Sequence, residues 1–323
     1  PCTALCGLCG GFARHHPAFT PTPHNLTRIL PPSLPPSIHP CLHAIHILDS
    51  YAQKSRDEFN RVGMPLASSL YADMITANSA GVGVEFDTIF PCEEAYVPPT
   101  DDELATYDGC AFTGSSYSAY DDNVDVHRQV DLMARTFETG VSSFGSCWGL
   151  QIAAVACGGK VELNPKGREV GVGRKVMLSG EGRDHPMFSG KKAAFEVFES
   201  HSDEVTELPE GGVLLAGNDH TRVQAMAVDR NGTSSWFVQY HPEYDLKYFS
   251  SLIRIRTERM TSMGFFKKEE DVGVYCDELN ELHDDPARLD LLWKYGIDSD
   301  IIDVGIKQAE VKNWVAHLSA TKR

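Results

Sequence analysis

Apolar positions recur along the chain with two periods, and the switch between them outlines a fold. Ala44-Ile45-His46-Ile47-Leu48 is a short run of strand length, and Leu66, Leu70, Met74 and Ala77 follow at helical spacing. Val82 to Phe90 alternates as a strand and stops at Pro91. An acidic loop, Pro98 to Glu103, leads into the short apolar strand Gly109–Thr113. A helix with Val126, Val130, Met133 and Phe137 on one face comes next. It is followed by a buried strand ending at Gly145 and an apolar helix from Trp148 to Ala156. Strand, helix, strand, helix at these intervals predicts an α/β fold, a mostly parallel sheet with helices on both faces. In open sheets of this kind the site lies at the carboxyl ends of the strands.

Beyond residue 156 the texture changes. Lys160–Leu163, Val170–Leu178, Ala193–Glu199, Gly212–Ala216, Val223–Val228 and Ser235–Gln239 are short strands punctuated by Gly, Asn and Asp, which predicts an antiparallel or mixed extension. Residues 245–260 read as helix, with Leu246, Phe249 and Ile253 in register. Further on, Asp285-Pro286 reads as an N-cap and first helical residue, and Gly296 as a stop. A last helix presents Val311, Trp314, Val315 and Leu318. The expected organisation is an α/β domain over 43–262 and a small helical extension over 263–323 packed against it.

Residues 1–42 stand apart. They hold nine of the 18 prolines, no acidic residue, and only Arg14 and Arg28 as Lys or Arg. Such a stretch sustains neither helix nor sheet, so a disordered, Pro-rich leader is expected. Its acid-poor composition is also that of an organelle-targeting segment, although it lacks an amphipathic helix. Within it, Cys2-x-x-x-Cys6-x-x-Cys9 has the spacing that radical-SAM enzymes use for an iron–sulfur cluster. The remainder of the chain is committed to a different fold from the barrel such a cluster requires, so no metal is assigned.

Composition narrows the function classes. The 323 residues carry a formal charge of −16, which disfavours nucleic acid and anionic membrane surfaces as partners. No apolar run reaches the length that spans a bilayer. The nine cysteines are scattered, and Cys92, Cys110, Cys157 and Cys276 show no paired spacing; reduced thiols and a cytoplasmic location are expected.

One cysteine has a distinctive setting. In Gly145-Ser146-Cys147-Trp148-Gly149-Leu150-Gln151 a strand ends, and glycines lie two residues before and two after Cys147. A sharp strand-to-helix turn around a nucleophile needs small residues there, because the neighbouring chains come close. The helix N-terminus would favour thiolate over thiol. Alone, the spacing also fits a buried small hydrophobe. Downstream, the strand Ser235–Gln239 delivers His241-Pro242-Glu243. A cysteine nucleophile needs a base, and the base needs an anion to hold its tautomer.

Taken together, the chain resembles the class I, or triad, glutamine amidotransferases. The matching pieces are Gly-Ser-Cys-Trp-Gly-Leu-Gln at 145–151, His-Pro-Glu at 241–243, and Ser200-His201-Ser202-Asp203-Glu204-Val205 with Leu208-Pro209 beyond. Thr113-Gly114-Ser115-Ser116-Tyr117-Ser118 stands where the family has its oxyanion loop, and Arg168-Glu169-Val170-Gly171 looks like a segment of the GMP-synthase branch. The pieces occur in family order over about residues 43 to 260. Gly-Ser-Ser replaces the usual Gly-Gly-Pro of the oxyanion loop, which is closer to stand-alone relatives such as γ-glutamyl peptidases.

The resemblance implies a flavodoxin-like amidotransferase fold and a Cys147–His241–Glu243 triad that forms a γ-glutamyl thioester, with no cofactor. It implies oxyanion donors at the N–H of Trp148 and of Gly114 or Ser115. Gln151 and the backbone around His201 and Ser202 would contact the α-amino and α-carboxylate groups. Tyr117 to Asp122 is expected to form an aromatic, acidic lip toward the leaving group. His127, His185, His220, His283 and His317 are expected at the surface. No G-x-x-x-x-G-K-[ST] and no Ser-Gly-Gly-x-Asp-Ser occurs, so no fused synthetase is read. Three readings stay open: a stand-alone γ-glutamyl amide hydrolase, an ammonia-donating glutaminase that serves a separate synthetase, and a non-catalytic glutamine-binding protein.

Overall fold

The first apolar run forms β1 (His43–Leu48), and the structure, a computed structural model, describes residues 43–321. The proposed leader and its cysteine run lie outside the described residues. After β1 come α1 (Gln53–Arg61), α2 (Ala67–Ala77), β2 (Val84–Ile89), the single turn α3 (Asp101–Leu104), β3 (Gly109–Phe112), α4 (Val124–Thr139), β4 (Ser142–Ser146) and α5 (Trp148–Ala156). The boundaries of α4 follow local chemistry. The Asn123 side chain accepts the Asp125 N–H at 2.7 Å, and Gly140 ends the helix at φ 71°. Between them Val126, Leu132, Met133 and Phe137 turn inward at helical spacing.

The second half contributes β5 (Lys160–Leu163), β6 (Glu169–Leu178), α6 (Gly180–Asp184), β7 (Ala194–His201), β8 (Asp203–Glu207), β9 (Gly212–Gly217), β10 (Ala225–Arg230) and β11 (Thr233–Val238). The helices α7 (Leu246–Ile255), α8 (Thr257–Ser262), α9 (Glu269–Asp284), α10 (Leu289–Tyr295), α11 (Ser299–Ile302), α12 (Val304–Lys307) and α13 (Ala309–Thr321) complete it. The nine-stranded sheet runs β2-β1-β3-β4-β11-β10-β9-β6-β7. From β2 to β11 neighbouring strands are parallel, and from β11 to β7 they are antiparallel. β5 and β8 pair separately as an antiparallel ribbon. The carboxyl ends of β3, β4 and β11 are adjacent, which gathers residues 113–118, Cys147 and the segment after Val238 at one edge.

Both sheet faces are covered. α2 and α13 lie on one, where Tyr71, Met74, Trp314 and Leu318 share a core with Ile45, Phe144 and Trp236. α4 and α5 cover the other through Phe137, Leu150 and Ile152 against Phe112 and Phe237. A third cluster joins α1, α7, α9 and α10 to Phe198 of β7. The helices after residue 262 therefore take part in two of the three cores.

Two local expectations change. The helix expected from Asp285 starts at Leu289; Asp285 instead closes α9, and its carboxylate accepts the Ala287 N–H at 3.1 Å. The 245–260 helix is broken at Arg256, whose φ of −107° separates α7 from α8. Among the described residues no helix is long and apolar enough to cross a membrane.

Candidate active site

β4 ends at Ser146 and α5 starts at Trp148, so Cys147 alone makes the turn, with φ 53° and ψ −99°. That backbone costs about 1–3 kcal/mol for a residue with a side chain, and the surrounding ladder holds it. The Cys147 N–H donates to Val238 O at 2.8 Å, continuing the β4–β11 pairing past the strand end. The flanking glycines are required by contact. A Cβ on Gly149 would lie 2.8 Å from Phe112 O, and one on Gly145 would lie 3.0 Å from the Gly149 Cα.

The pocket works against the thiolate that the helix terminus would favour. Burial pushes the Cys147 thiol up to about 12, with the Glu243 and Glu199 carboxylates adding to the rise. Arg168 and the Trp148 N–H pull the other way and lose. A helix terminus is worth about 1 kcal/mol at most exposed sites, whereas loss of hydration raises buried thiols by several pK units.

His241 follows β11, and its N–H donates to Phe198 O at 2.9 Å, pinning the segment to β7. Its Nδ1 is 2.7 Å from Glu243 Oε1. With Glu243 ionised, Nδ1 carries the proton and Nε2 presents a lone pair. Nε2 is buried without a hydrogen-bond partner among the described residues, and the ring borders the same pocket as Cys147. Glu243 Oε1 also accepts from Ser146 Oγ at 3.2 Å, and Ser146 is held by Tyr71, whose hydroxyl accepts the Ser146 N–H at 2.9 Å. The Tyr244 ring stacks on His241 with centroids 4.1 Å apart and planes at 3°. The C-terminal helices grip the same segment: Lys307 Nζ donates to Tyr244 O at 2.6 Å, Gln308 Nε2 to Pro242 O at 3.3 Å, and the Tyr240 hydroxyl bonds Glu310.

The remaining predicted residues fall into two groups. Gly114 lies against the base, since a Cβ there would be 3.2 Å from His241 Cε1. Ser115 lines the pocket and donates its hydroxyl to Ser50 O at 2.8 Å. The Trp148 indole points away, donating to Gln129 Oε1 at 2.8 Å, so only its backbone faces the sulfur. Gln151, His201 and Ser202 all border the pocket. Gln151 Nε2 donates to Asp203 O and Gln239 Oε1, both at 3.3 Å.

His201 is the hub of a buried charge cluster. Its Nδ1 donates to Asp203 O at 2.9 Å, and Nε2 lies 3.2 Å from both Glu169 and Glu199. Burial opposes protonation, yet the two carboxylates outweigh it and push His201 up to about 9. Burial pushes Glu199 up to about 7. These three residues also offer ligand atoms within 4.8 Å of one another, a spacing that would admit a metal ion.

Sequence reasoning missed the basic wall of the pocket: Arg168, Arg256 and Arg259 line it together with Tyr51. The acids of the expected lip face elsewhere. Asp121 accepts the Ser118 N–H at 3.0 Å, and Asp122 is exposed beside His127. Of the lip, only Tyr117 and Ser118 border the pocket. Four histidines expected at the surface, His185, His220, His283 and His317, are half-buried, and His185 and His317 pack on the Trp236 ring at 5.3 and 4.9 Å.

The family model described as glutamine amidotransferase class-I matches residues 71–255, more than half of the chain. The chain belongs to the class-I glutamine amidotransferase family. It is 30% identical over 230 residues to the γ-glutamyl-L-1-hydroxyisopropylamide hydrolase of Pseudomonas sp, covering 67% of the chain and 74% of that protein. It is 31% identical over 186 residues to a glutamine-hydrolyzing GMP synthase subunit of Saccharolobus solfataricus, covering 57% of the chain and 89% of the relative. The solved structure of a glutamine amidotransferase from Thermotoga maritima shares the fold at a TM-score of 0.52 and 15% identity, covering 86% of the chain and 99% of its own. In this amidotransferase the matched residues include Cys147, His241 and Glu243 and end before α8, so the helices gripping the histidine segment lie beyond the family match.

Proposed function

We propose that this amidotransferase-family chain is a cysteine hydrolase that cleaves the γ-amide of glutamine or of γ-glutamyl compounds. One observation carries the reading: a histidine oriented by a carboxylate at 2.7 Å, with its other ring nitrogen buried and uncommitted, borders the same pocket as a cysteine on a left-handed turn. In the proposed cycle His241 Nε2 takes the Cys147 proton as sulfur attacks the amide carbon. The tetrahedral oxyanion is held by the N–H of Trp148 and that of Gly114 or Ser115, each worth about 2.7–4 kcal/mol in comparable sites. Collapse breaks the C–N bond, and His241 returns the proton to the departing amine. A water molecule, deprotonated by His241, then cleaves the thioester to release the γ-carboxylate and restore the thiol. Glu243 holds the imidazole and stabilises its charged form. Gln151, His201 and Ser202 face the γ-glutamyl part.

Within this reading residues 43–262 carry the chemistry, and 263–323 brace its base. The partner is a small molecule in the cytoplasm, where the five described free cysteines stay reduced; nucleic acid and membrane play no part. A thiol-reactive glutamine analogue should label Cys147, and Cys147→Ala should lose ammonia release while keeping its fold. Turnover retained in Cys147→Ala overturns the assignment. The similarity to a GMP synthase subunit over most of that protein's length favours a second reading, an ammonia donor to a separate synthetase. Glutamine turnover that rises sharply only when a synthetase is added would select it.

A further inference from the structure

The pocket beside Cys147 is lined by three cations, and their partners are mostly uncharged. Arg168 donates from Nη1 to Ser202 Oγ at 3.0 Å and from Nη2 to Ser200 O and Oγ at 3.2 and 2.9 Å. Arg256 Nη1 donates to the same Ser200 hydroxyl at 3.2 Å. Arg259 stands one helical turn further along, at the exposed rim of the pocket. Among the described residues no carboxylate lies within ion-pair distance of any of the three, whereas nearby Arg254 is paired with Asp277 at 2.7 Å. The Nε of Arg168 is buried without a partner among the described residues. Burial, and then the charges of Arg256 and Arg259, pull Arg168 down to about 10. A guanidinium stays charged in proteins, so like charges held together at a low-dielectric wall are an uphill arrangement that an anion relieves. The nearby Asp203 does not supply it, because its oxygens accept from Ser118 Oγ at 2.7 Å and Tyr120 OH at 3.1 Å.

We propose that Arg256 and Arg259 form a subsite for a carboxylate on the leaving-group side, so that the preferred substrates are γ-glutamyl peptides whose amine portion ends in a free carboxylate. This rests on the hydrolase reading. Charge count and depth carry it. The γ-glutamyl moiety brings one α-carboxylate, and the deepest cation, Arg168 between Ser200 and Ser202, suffices for one anion. Arg256 is half-buried and Arg259 exposed, either side of the break between α7 and α8, so the two grade from Arg168 toward solvent, the side that the proposal gives to the group on the γ-nitrogen. Guanidinium groups in such a row bind carboxylate in preference to a neutral amide.

The test compares kcat/KM for glutamine, a γ-glutamyl dipeptide and its C-terminal amide, in the wild type, Arg256→Gln and Arg259→Gln. A free carboxylate should be preferred over the amide by about tenfold or more at low salt, and each variant should collapse that ratio toward one. Binding of the same two peptides to Cys147→Ala, measured calorimetrically, should show the same ratio without turnover. No preference in the wild type overturns the subsite. A uniform loss across all three substrates in the variants also overturns it, assigning the arginines to the glutamyl α-carboxylate while leaving hydrolysis intact. Failure of the hydrolase reading looks different: no γ-glutamyl compound is turned over and Cys147 escapes labelling.

Discussion

Removing the Glu310 carboxylate should damage both stability and the base. Glu310 is 0% exposed, its oxygen lies 2.6 Å from Lys191 Nζ, itself 1% exposed, and it bonds the hydroxyl of buried Tyr240. Glu310→Ala leaves an ammonium facing only the Phe195 and Tyr240 rings, at 4.5 and 5.8 Å. Breaking a buried pair from one side costs about 3–5 kcal/mol; the ring contacts are present in the wild type too and offset none of it. The orphaned Tyr240 hydroxyl adds about 1–3 kcal/mol. The sum, about 4–8 kcal/mol, is a large share of the roughly 5–15 kcal/mol that holds a domain together. Urea unfolding of the wild type, Glu310→Leu, Glu310→Ala, Lys191→Met and Lys191→Met/Glu310→Leu measures it, with Glu310→Leu and Lys191→Met as the singles of the cycle. Each single variant should lose several kcal/mol and the double variant clearly less than the sum, because it buries no lone charge. Since Tyr240 precedes His241, kcat should fall in Glu310→Ala below its unfolding temperature, with KM for glutamine little changed. Single losses under about 1 kcal/mol, or strict additivity, would refute the reasoning.

Alkylation of Cys147 by iodoacetamide should keep accelerating above pH 9, as expected for a thiol pushed up to about 12; a plateau below pH 7 would mean a resting thiolate–imidazolium pair. Gly149→Ala should cost about 1–3 kcal/mol of stability, judged by thermal melts, because its Cβ meets Phe112 O at 2.8 Å. Glu243→Gln should lower kcat by about 10³-fold or more with a modest change in KM, since the amide no longer fixes the Nδ1–H tautomer of His241. Folding raises the His201 pKa from 6.5 to about 9, so its contribution to stability is fully present below pH 6.5 and is lost as pH rises through 9. The fall of melting temperature across that window should therefore shrink in His201→Gln.

The parts of the site that were legible in the sequence are those set by local geometry. Gly145 and Gly149 mark the elbow because Phe112 O of the neighbouring β3 leaves no room for a Cβ, and the demand falls on two positions within two residues of Cys147. His241 and Glu243 are legible for the same reason: one short turn spans both members of the hydrogen bond. The arginines were not, because Arg168 on the approach to β6 and Arg256 after α7 meet only through Ser200 of β7. The pull of burial on the Cys147 thiol was not legible, because burial is a tertiary property that spacing does not encode. Among the elements, α1 escaped notice because it buries only Arg56 and Phe59. α9 did so because it opens on Glu269, Glu270 and Asp271 with no side-chain cap to announce it.

Burial of the Cys147 thiol beside an uncommitted imidazole nitrogen disfavours charge separation before a substrate arrives. At a thiol value near 12, against 9 for an unperturbed one, the isolated thiolate is disfavoured by about 4 kcal/mol relative to water. In the proposed cycle the same burial would strengthen the interactions made only during attack: Glu243 on the imidazolium and the Trp148 N–H on the developing oxyanion. Arg168 already lowers the thiol against that trend, and it is itself under strain from Arg256 and Arg259. An incoming carboxylate that neutralises part of this cluster weakens the pull on sulfur electrostatically, so the anion that improves binding makes the thiolate harder to form. The proton must then leave sulfur in concert with attack. Solvent deuterium isotope effects should accordingly be larger on acylation by a γ-glutamyl dipeptide than by its C-terminal amide. Equal isotope effects on the two would show that the arginine charges do not reach the sulfur.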